Sequence, residues 1–419
     1  MPAPSTGDDQ PDAPPAPPPD AQPRPPSLVT VLREWGRIGC IGFGGPPTHI
    51  KLLRELCVDR RKWLDANEFE DAIATCNMLP GPASTQLAIF CAWRVRGRAG
   101  ALTGGLAFIV PGLIVIVALA ALFLGGSPPR WVLGAGAGAG GAVPAVALQA
   151  GGSLLRPSWQ RRRRSARWLA FLAAGIAAAI TIGPWLVLVL VGCGLIEVAA
   201  QRPGRPGRAD RPDEPARPAR PAPDVRGIIT APVVVAGAVT GGVLASVAWV
   251  AFKVGALSYG GGFVIVPLMQ ADAVTHYHWM TGGQFLNAVA LGQVTPGPVV
   301  LTVGVVGYAA AKLAGALLAV VVAFAPSFAF VLLGARHFGR LRGEPRARAF
   351  LEGAGPAAIG AILGSAVSLA RVLTQPWQYA VLGAAIIVLL PLRRGVVPTL
   401  LAAAAAGVII ALAGGPVAA

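Results

Sequence analysis

The chain has 419 residues, of which 54% are hydrophobic and only 13% charged, against roughly 25% charged in soluble domains. A mean hydropathy of +0.62 over this length excludes an ordinary soluble enzyme. The net charge of +16 would suggest nucleic acid as a partner, but the arginines sit in short stretches between apolar runs, where the positive-inside rule puts them.

Taken in chain order, residues 1–26 form a Pro-rich polar stretch without the apolar core of a cleavable signal, and a disordered tail is expected there. The runs 99–129, 131–155, 168–196, 227–252, 313–335, 372–392 and 395–419 lack Asp, Glu, Lys and Arg. Each has the roughly 20 residues a bilayer-spanning helix needs. Residues 168–200 are basic at both ends and broken at Gly183-Pro184, which predicts a hairpin of two short helices. Residues 201–226 are an Arg/Pro-rich linker without hydrophobic periodicity. They divide the chain into a first unit, 27–200, and a second, 227–419. The cysteines (Cys40, Cys57, Cys76, Cys91 and Cys193) show no CxxC spacing and are read as small buried hydrophobes.

The two units carry the same landmarks in the same order. Trp63 and Trp279, Phe69 and Phe285, and Pro80-Gly81-Pro82 and Pro296-Gly297-Pro298 all lie 216 residues apart. Gly44-Gly45 after Phe43 and Gly260-Gly261 after Tyr259 keep that offset, and Pro111 and Pro326 follow at 215. The chain is thus expected to be a tandem repeat. Residues 44–98 hold eight Lys or Arg, while the matching window 260–314 holds only Lys312. By the positive-inside rule the first motif region faces the cytoplasm and the second faces outward, so the repeats are expected to be inverted, with a crossing near 228–249 turning the second copy over.

The glycine and Pro-Gly-Pro motifs predict helix breaks at membrane depth. Such backbone is tolerated there only when buried in protein or lining a polar cavity, and its free amides and half-helix N-termini suit an anion. The expected substrate-binding set is Phe43, Gly44, Gly45, Pro46, Thr48, His49, Asn77, Pro80, Gly81, Pro82, Ser84 and Gln86 from the first copy. From the second it is Ser258, Gly260, Gly261, Gly262, Asn287, Gln293, Pro296, Gly297 and Pro298. Thr85, Thr295 and Thr302 are further polar companions, and Pro82 and Pro298 are placed in the first turn of a new helix. The run 134–141 (GAGAGAGG) is read as close helix packing, and 50–64 as an amphipathic helix at the interface. Asp71, Glu55, Asp272 and Glu352 lie at the edges of apolar runs and are read as solvated helix ends, with proton carriers as the alternative. His276 and His278 lack a third metal ligand, and the Gly-rich loops lack the Lys-Ser/Thr of a phosphate-binding loop. No nucleophile or carboxylate pair stands out, so no enzyme activity, metal or cofactor is expected. A lipid-directed membrane enzyme and a gated anion channel are the rivals from other classes.

Phe43-Gly44-Gly45-Pro46, Trp63, Phe69, Leu79-Pro80-Gly81-Pro82 and Gln86, followed by Gly260-Gly261-Gly262, Pro267, Trp279, Phe285, Pro296-Gly297-Pro298 and Gly307-Tyr308, resemble the chromate ion transporter family. The likeness is greatest to its long, two-domain members and covers about 27–394. It implies export of chromate across the cell membrane, with sulfate as the close analogue, conferring chromate resistance and driven by the membrane potential or a proton gradient. Tyr259 and Gly262 replace the Phe43 and Pro46 of the first copy. The fold expected is an all-α polytopic membrane protein of two inverted-topology repeats with broken or re-entrant helices, about 10–12 membrane segments in all. It would work as a secondary active transporter in the cell membrane, one repeat rocking against the other, with a sulfate or other oxyanion carrier of the same fold as the alternative. The expected partners are the oxyanion and the lipid bilayer. A homodimer is allowed but not required.

Overall fold

The computed structural model describes residues 26–77, 79, 81–126, 128–160, 162, 164–181, 185–201, 242–258, 263–334 and 344–417, and among these every regular element is a helix. Helix α1 (Leu28–Ile41) starts where Ser27 Oγ accepts the Thr30 amide, buries Val31, Trp35 and Ile38, and stops at Gly42. Helix α2 (Pro46–Arg54) opens on two prolines, placed where a missing N–H removes no helical hydrogen bond. It continues into a π turn, Glu55–Arg60. Helix α3 (Ala66–Cys76) is capped by the Asp65 carboxylate, which accepts the Glu68 amide at 2.8 Å.

Helix α4 (Ala83–Leu124) contains a reversal. Arg96 (φ −143°, ψ 22°) and Gly97 (φ 63°, ψ −152°) are not helical, and the two arms fold back on each other. A Cβ on Gly104 would stand 2.5 Å from Ala92 Cβ, and one on Gly105 would stand 2.9 Å from Ile89 Cγ1. Residues 83–95 therefore form a short arm of about 20 Å, and 98–124 form a spanning arm. Helices α5 (Arg130–Gln160), α6 (Ser165–Thr181) and α7 (Leu186–Ala200) complete the first half. The last two realise the hairpin expected over 168–200, with 182–184 outside the described residues.

The second half repeats this order: α8 (Val243–Leu257), α9 (Ile265–Gln270) running into a π turn (Ala271–His276), and α10 (Gly282–Val294). A short 3₁₀ turn (Val299–Leu301) leads into α11 (Thr302–Gly334), followed by α12 (Pro345–Ala370), α13 (Pro376–Leu389) and α14 (Val396–Leu412). The details recur at the same offset. The π turns begin at Glu55 and Ala271, and the left-handed residues are Lys62 (φ 51°) and His278 (φ 53°). The α10 cap is Thr281, paired reciprocally with Gln284. Helix α11 reverses at Ala311 (φ −148°) and Lys312 (φ 51°). Among the described residues four helices are long and apolar enough to cross a membrane, Ala83–Leu124, Arg130–Gln160, Val299–Gly334 and Pro345–Ala370; α4 and α11 each contain such a reversal.

The halves are intertwined. Helix α5 packs against α13 and α14 of the second half, α12 packs against α6 and α7 of the first, and the spanning helices α4 and α11 meet between them. The glycine run 134–141 serves the packing expected of it, since a Cβ on Gly138 would stand 3.0 Å from the Gly407 Cα, and one on Gly141 would lie 3.3 Å from the Gln378 carbonyl oxygen.

Several expectations are revised. Residues 50–64 turn their apolar face into the protein, with Leu53, Leu56 and Cys57 fully buried and Lys51, Arg54 and Arg60 outward. The apolar run 227–252 falls largely outside the described residues, and its described end belongs to α8, which continues through Lys253 to Leu257. Four cysteines are buried, but Cys40 is exposed. Asp272 is no solvated helix end, because it is buried and its Oδ2 accepts from Lys253 Nζ at 2.6 Å. The 1–26 tail lies outside the described residues except for Pro26, and the 201–226 linker does so except for Gln201.

Candidate functional site

The broken backbone of each half is tied to the other half by matching hydrogen bonds. The Gly81 amide donates to the Ser258 carbonyl at 3.1 Å, and the Gly297 amide donates to the Gly42 carbonyl, also at 3.1 Å. Gly81 and Gly297 are 216 residues apart, as are Gly42 and Ser258, so the two bonds are one contact seen from both sides. The end of α1 thus meets the second Pro-Gly-Pro loop, and the end of α8 meets the first. Gly81 (φ 121°) and Gly297 (φ 98°) hold backbone angles that L side chains rarely adopt. A Cβ on Gly45 would touch Val299 Cγ2 at 3.7 Å, which joins the first Gly-Gly break to the same place.

The first half adds a polar network that the second lacks. His49 is fully buried, with Nε2 3.0 Å from the Gly42 carbonyl oxygen and Nδ1 3.3 Å from Ser84 Oγ. A carbonyl only accepts, so Nε2 carries a proton, and a neutral ring then accepts at Nδ1 from the serine hydroxyl. The Gly42 carbonyl receives both His49 and the Gly297 amide, which fills its two lone pairs. The ring also meets Phe108 edge-on at 4.9 Å. At the matching positions of the second half stand Ile265 and Val300.

Around these joints lie polar groups without a partner. Thr85 Oγ1, Ser258 Oγ, Ser327 Oγ and Gln293 Nε2 are buried with no hydrogen-bond partner among the described residues. Buried polar atoms of this kind cost stability unless something else satisfies them. Ser327 and the Gln86 amide both press on Gly81, where a Cβ would stand 3.1 Å from Ser327 Oγ and 2.5 Å from Gln86 Nε2. The amides of Gly44 (φ 96°) and Gly45 (φ 75°) have no backbone acceptor among the described residues. Phe43 and Gly44 are exposed, whereas the second Pro-Gly-Pro loop is wholly buried. Hydroxyls, amides and helix N-termini without a charged acid among them can hold an anion that has shed its water.

Of the expected site residues, Gly44, Gly45, Pro46, His49, Gly81, Pro82, Ser84, Gln86, Ser258, Pro296, Gly297 and Pro298 lie in or beside these joints. Thr48 Oγ1 stands 3.2 Å from where a Cβ on Gly44 would be. Pro82 and Pro298 occupy the cap position, one residue before the helical turn expected for them. Asn287 is elsewhere: it packs on Gly136 and Gly140 of α5. Thr295 and Thr302 donate to the Leu291 and Val299 carbonyls of their own segments. Pro80, Gly260, Gly261 and Gly262 lie outside the described residues. Ser327 was not among the expected residues. Its one sequence signal was its place directly after Pro326, the counterpart of Gly112 after Pro111. Among the described residues no group of three His, Cys, Asp or Glu is placed to hold a metal.

Two cavities are found among the described residues. One, of about 690 Å³, runs from Asn77 and Val264 to a rim formed by Arg162, Arg164, Arg167 and Arg348. The other, of about 480 Å³, is lined by Thr281, Asn287, Gln375 and Gln378 together with small and apolar residues, and holds no charged side chain.

Broken helices with unsatisfied donors at their junction mark a multi-pass membrane protein of the transporter class. The family is shown directly: the chromate transporter family model matches residues 29–198 and again 245–410, and the chain belongs to that family. It is similar to the chromate transport protein of Cupriavidus metallidurans, 29% identical over 345 residues covering 82% of this chain and 83% of that one. It is also similar to the chromate transport protein of Pseudomonas aeruginosa, 28% identical over 85% of this chain and 84% of that one. A probable chromate transport protein of Synechococcus elongatus is 27% identical over 82% and 85%. No solved structure matches the chain.

Proposed function

We propose that the chain is a secondary active carrier that exports chromate, with its two halves inverted in the membrane and a tetrahedral dianion held where the helix breaks meet. The observation that carries this reading is the crossed pair of bonds, Gly81 to Ser258 and Gly297 to Gly42, beside unsatisfied hydroxyls of Thr85, Ser258 and Ser327. A dianion there takes hydrogen bonds from fixed amides and hydroxyls in place of water, and the absence of a carboxylate spares it repulsion. Chromate resistance follows from lowering the internal concentration of the ion.

Neutral donors read charge, size and tetrahedral shape and do not distinguish chromium from sulfur. Sulfate is accordingly the expected competitor. The test is purified protein in liposomes, with chromate flux measured under an imposed proton gradient or membrane potential and with sulfate or molybdate added. Saturable flux that responds to the gradient and is reduced by sulfate supports the proposal. Flux that neither saturates nor responds to a gradient marks a channel, and sulfate flux without chromate flux marks a carrier for the other oxyanion.

A further inference from the structure

We propose that the arginine-rimmed cavity is a second oxyanion site, an antechamber that captures the dianion before it reaches the helix breaks; this rests on the carrier reading above. The cavity has four arginines, Arg162, Arg164, Arg167 and Arg348, against two glutamates, Glu197 and Glu352. The surplus of two positive charges matches a dianion. The glutamates are already committed. Glu197 accepts from Arg167 at 3.1 Å and from Gln201 Nε2 at 2.8 Å, and Gln201 Nε2 also donates to Glu352 at 2.7 Å. Arg162 is fixed as well, its guanidinium lying 3.4 Å over the Trp159 ring and donating to Ser165 Oγ.

Three donors remain. Arg164 and Arg348 are exposed at the rim and have no ion-pair partner among the described residues. Arg167 keeps a buried Nε with no acceptor there. The lining of the cavity also includes the exposed Asn77 and the buried Val264. Asn77 caps α3 next to the first Pro-Gly-Pro loop, and Val264 follows the second Gly-rich motif. An ion gathered at the rim is thus held beside the segments that lead into the joint between the halves. The lining of the second cavity holds no charged side chain, so capture is expected at the basic cavity alone. Under the positive-inside rule the arginine rim is cytoplasmic, which is the side from which an exporter loads. A basic cleft with apolar walls raises the local concentration of an anion without binding it so tightly that it cannot leave.

The experiment compares wild type with the double variant Arg164→Gln/Arg348→Gln, and with Arg346→Gln as a control outside the cavity, in liposomes with and without phosphatidylglycerol. Chromate is presented on the arginine side. The double variant is expected to raise the chromate KM about tenfold, to leave the saturated rate within about twofold, and to flatten the dependence of the initial rate on ionic strength. The control is expected to behave as wild type. A double variant with the wild-type KM and salt response overturns the antechamber and leaves the carrier reading intact. If it also loses thermal stabilisation by phosphatidylglycerol, the arginines hold a lipid phosphate instead. A wild type that moves no oxyanion overturns both proposals.

Discussion

Gly81 concentrates the physics of the site in one residue. Its amide crosses to Ser258, its φ of 121° suits only glycine, and Gln86 and Ser327 leave no space for a methyl group. Gly81→Ala therefore combines backbone strain of about 1–3 kcal/mol with displacement of two polar side chains. It is expected to lower the melting temperature of the purified protein and to abolish chromate flux. Gly97→Ala is the contrast, since Gly97 also has positive φ but nothing lies within 4 Å of its Cβ position, and Lys312 occupies the matching turn; flux is expected to survive it. The importance of Gly81 was legible in the sequence, because only a motif kept in both copies would place Pro-Gly-Pro at 80–82 and again at 296–298. The part played by Ser327 was not, since a lone serine in an apolar helix has no pattern and its meaning comes from the loop of the other half that it meets.

The helices are shaped by where they stop. Gly42–Gly45 and the two Pro-Gly-Pro loops end helices for reasons visible in residue type, and the breaks stand where glycine and proline predict them. The reversals at Arg96–Gly97 and Ala311–Lys312 stand just before the charge-free runs that open at 99 and 313, so their places were legible, whereas the packing of the arms as hairpins was not. Lys312 holds φ 51° and ψ −142°, a conformation that costs a side chain about 1–3 kcal/mol, whereas its counterpart is Gly97. Lys312→Gly is accordingly expected to stabilise the protein by about 1 kcal/mol, seen as a higher melting temperature with flux unchanged. A lower melting temperature would mean that the contact of Lys312 with the Tyr308 ring, 5.6 Å away, outweighs the strain.

At the scale of the molecule, the packing argues against motion along the division of the sequence. Helix α5 packs on α13 and α14 and also on α12, which in turn packs on α6 and α7, so rocking one sequence half against the other would break contacts throughout this set. The basic cavity lies among these elements, lined by residues of α3, α5, α6, α7 and α12. Exchange of this kind could not be read from spacing, which reports order along the chain and not which helix a face meets. The inverted arrangement of the halves is the claim on which site, cavity polarity and direction all depend. Asp59 and Thr275 are exposed, are 216 residues apart, and lie in the matching π turns. The direct measurement is labelling of Asp59→Cys and Thr275→Cys, each as a lone cysteine in an otherwise cysteine-free chain that still carries chromate, with a membrane-impermeant maleimide applied to intact cells and then to inside-out vesicles. Inversion predicts Asp59→Cys labelled only in the vesicles and Thr275→Cys only in the cells; both labelled from the same side would contradict it.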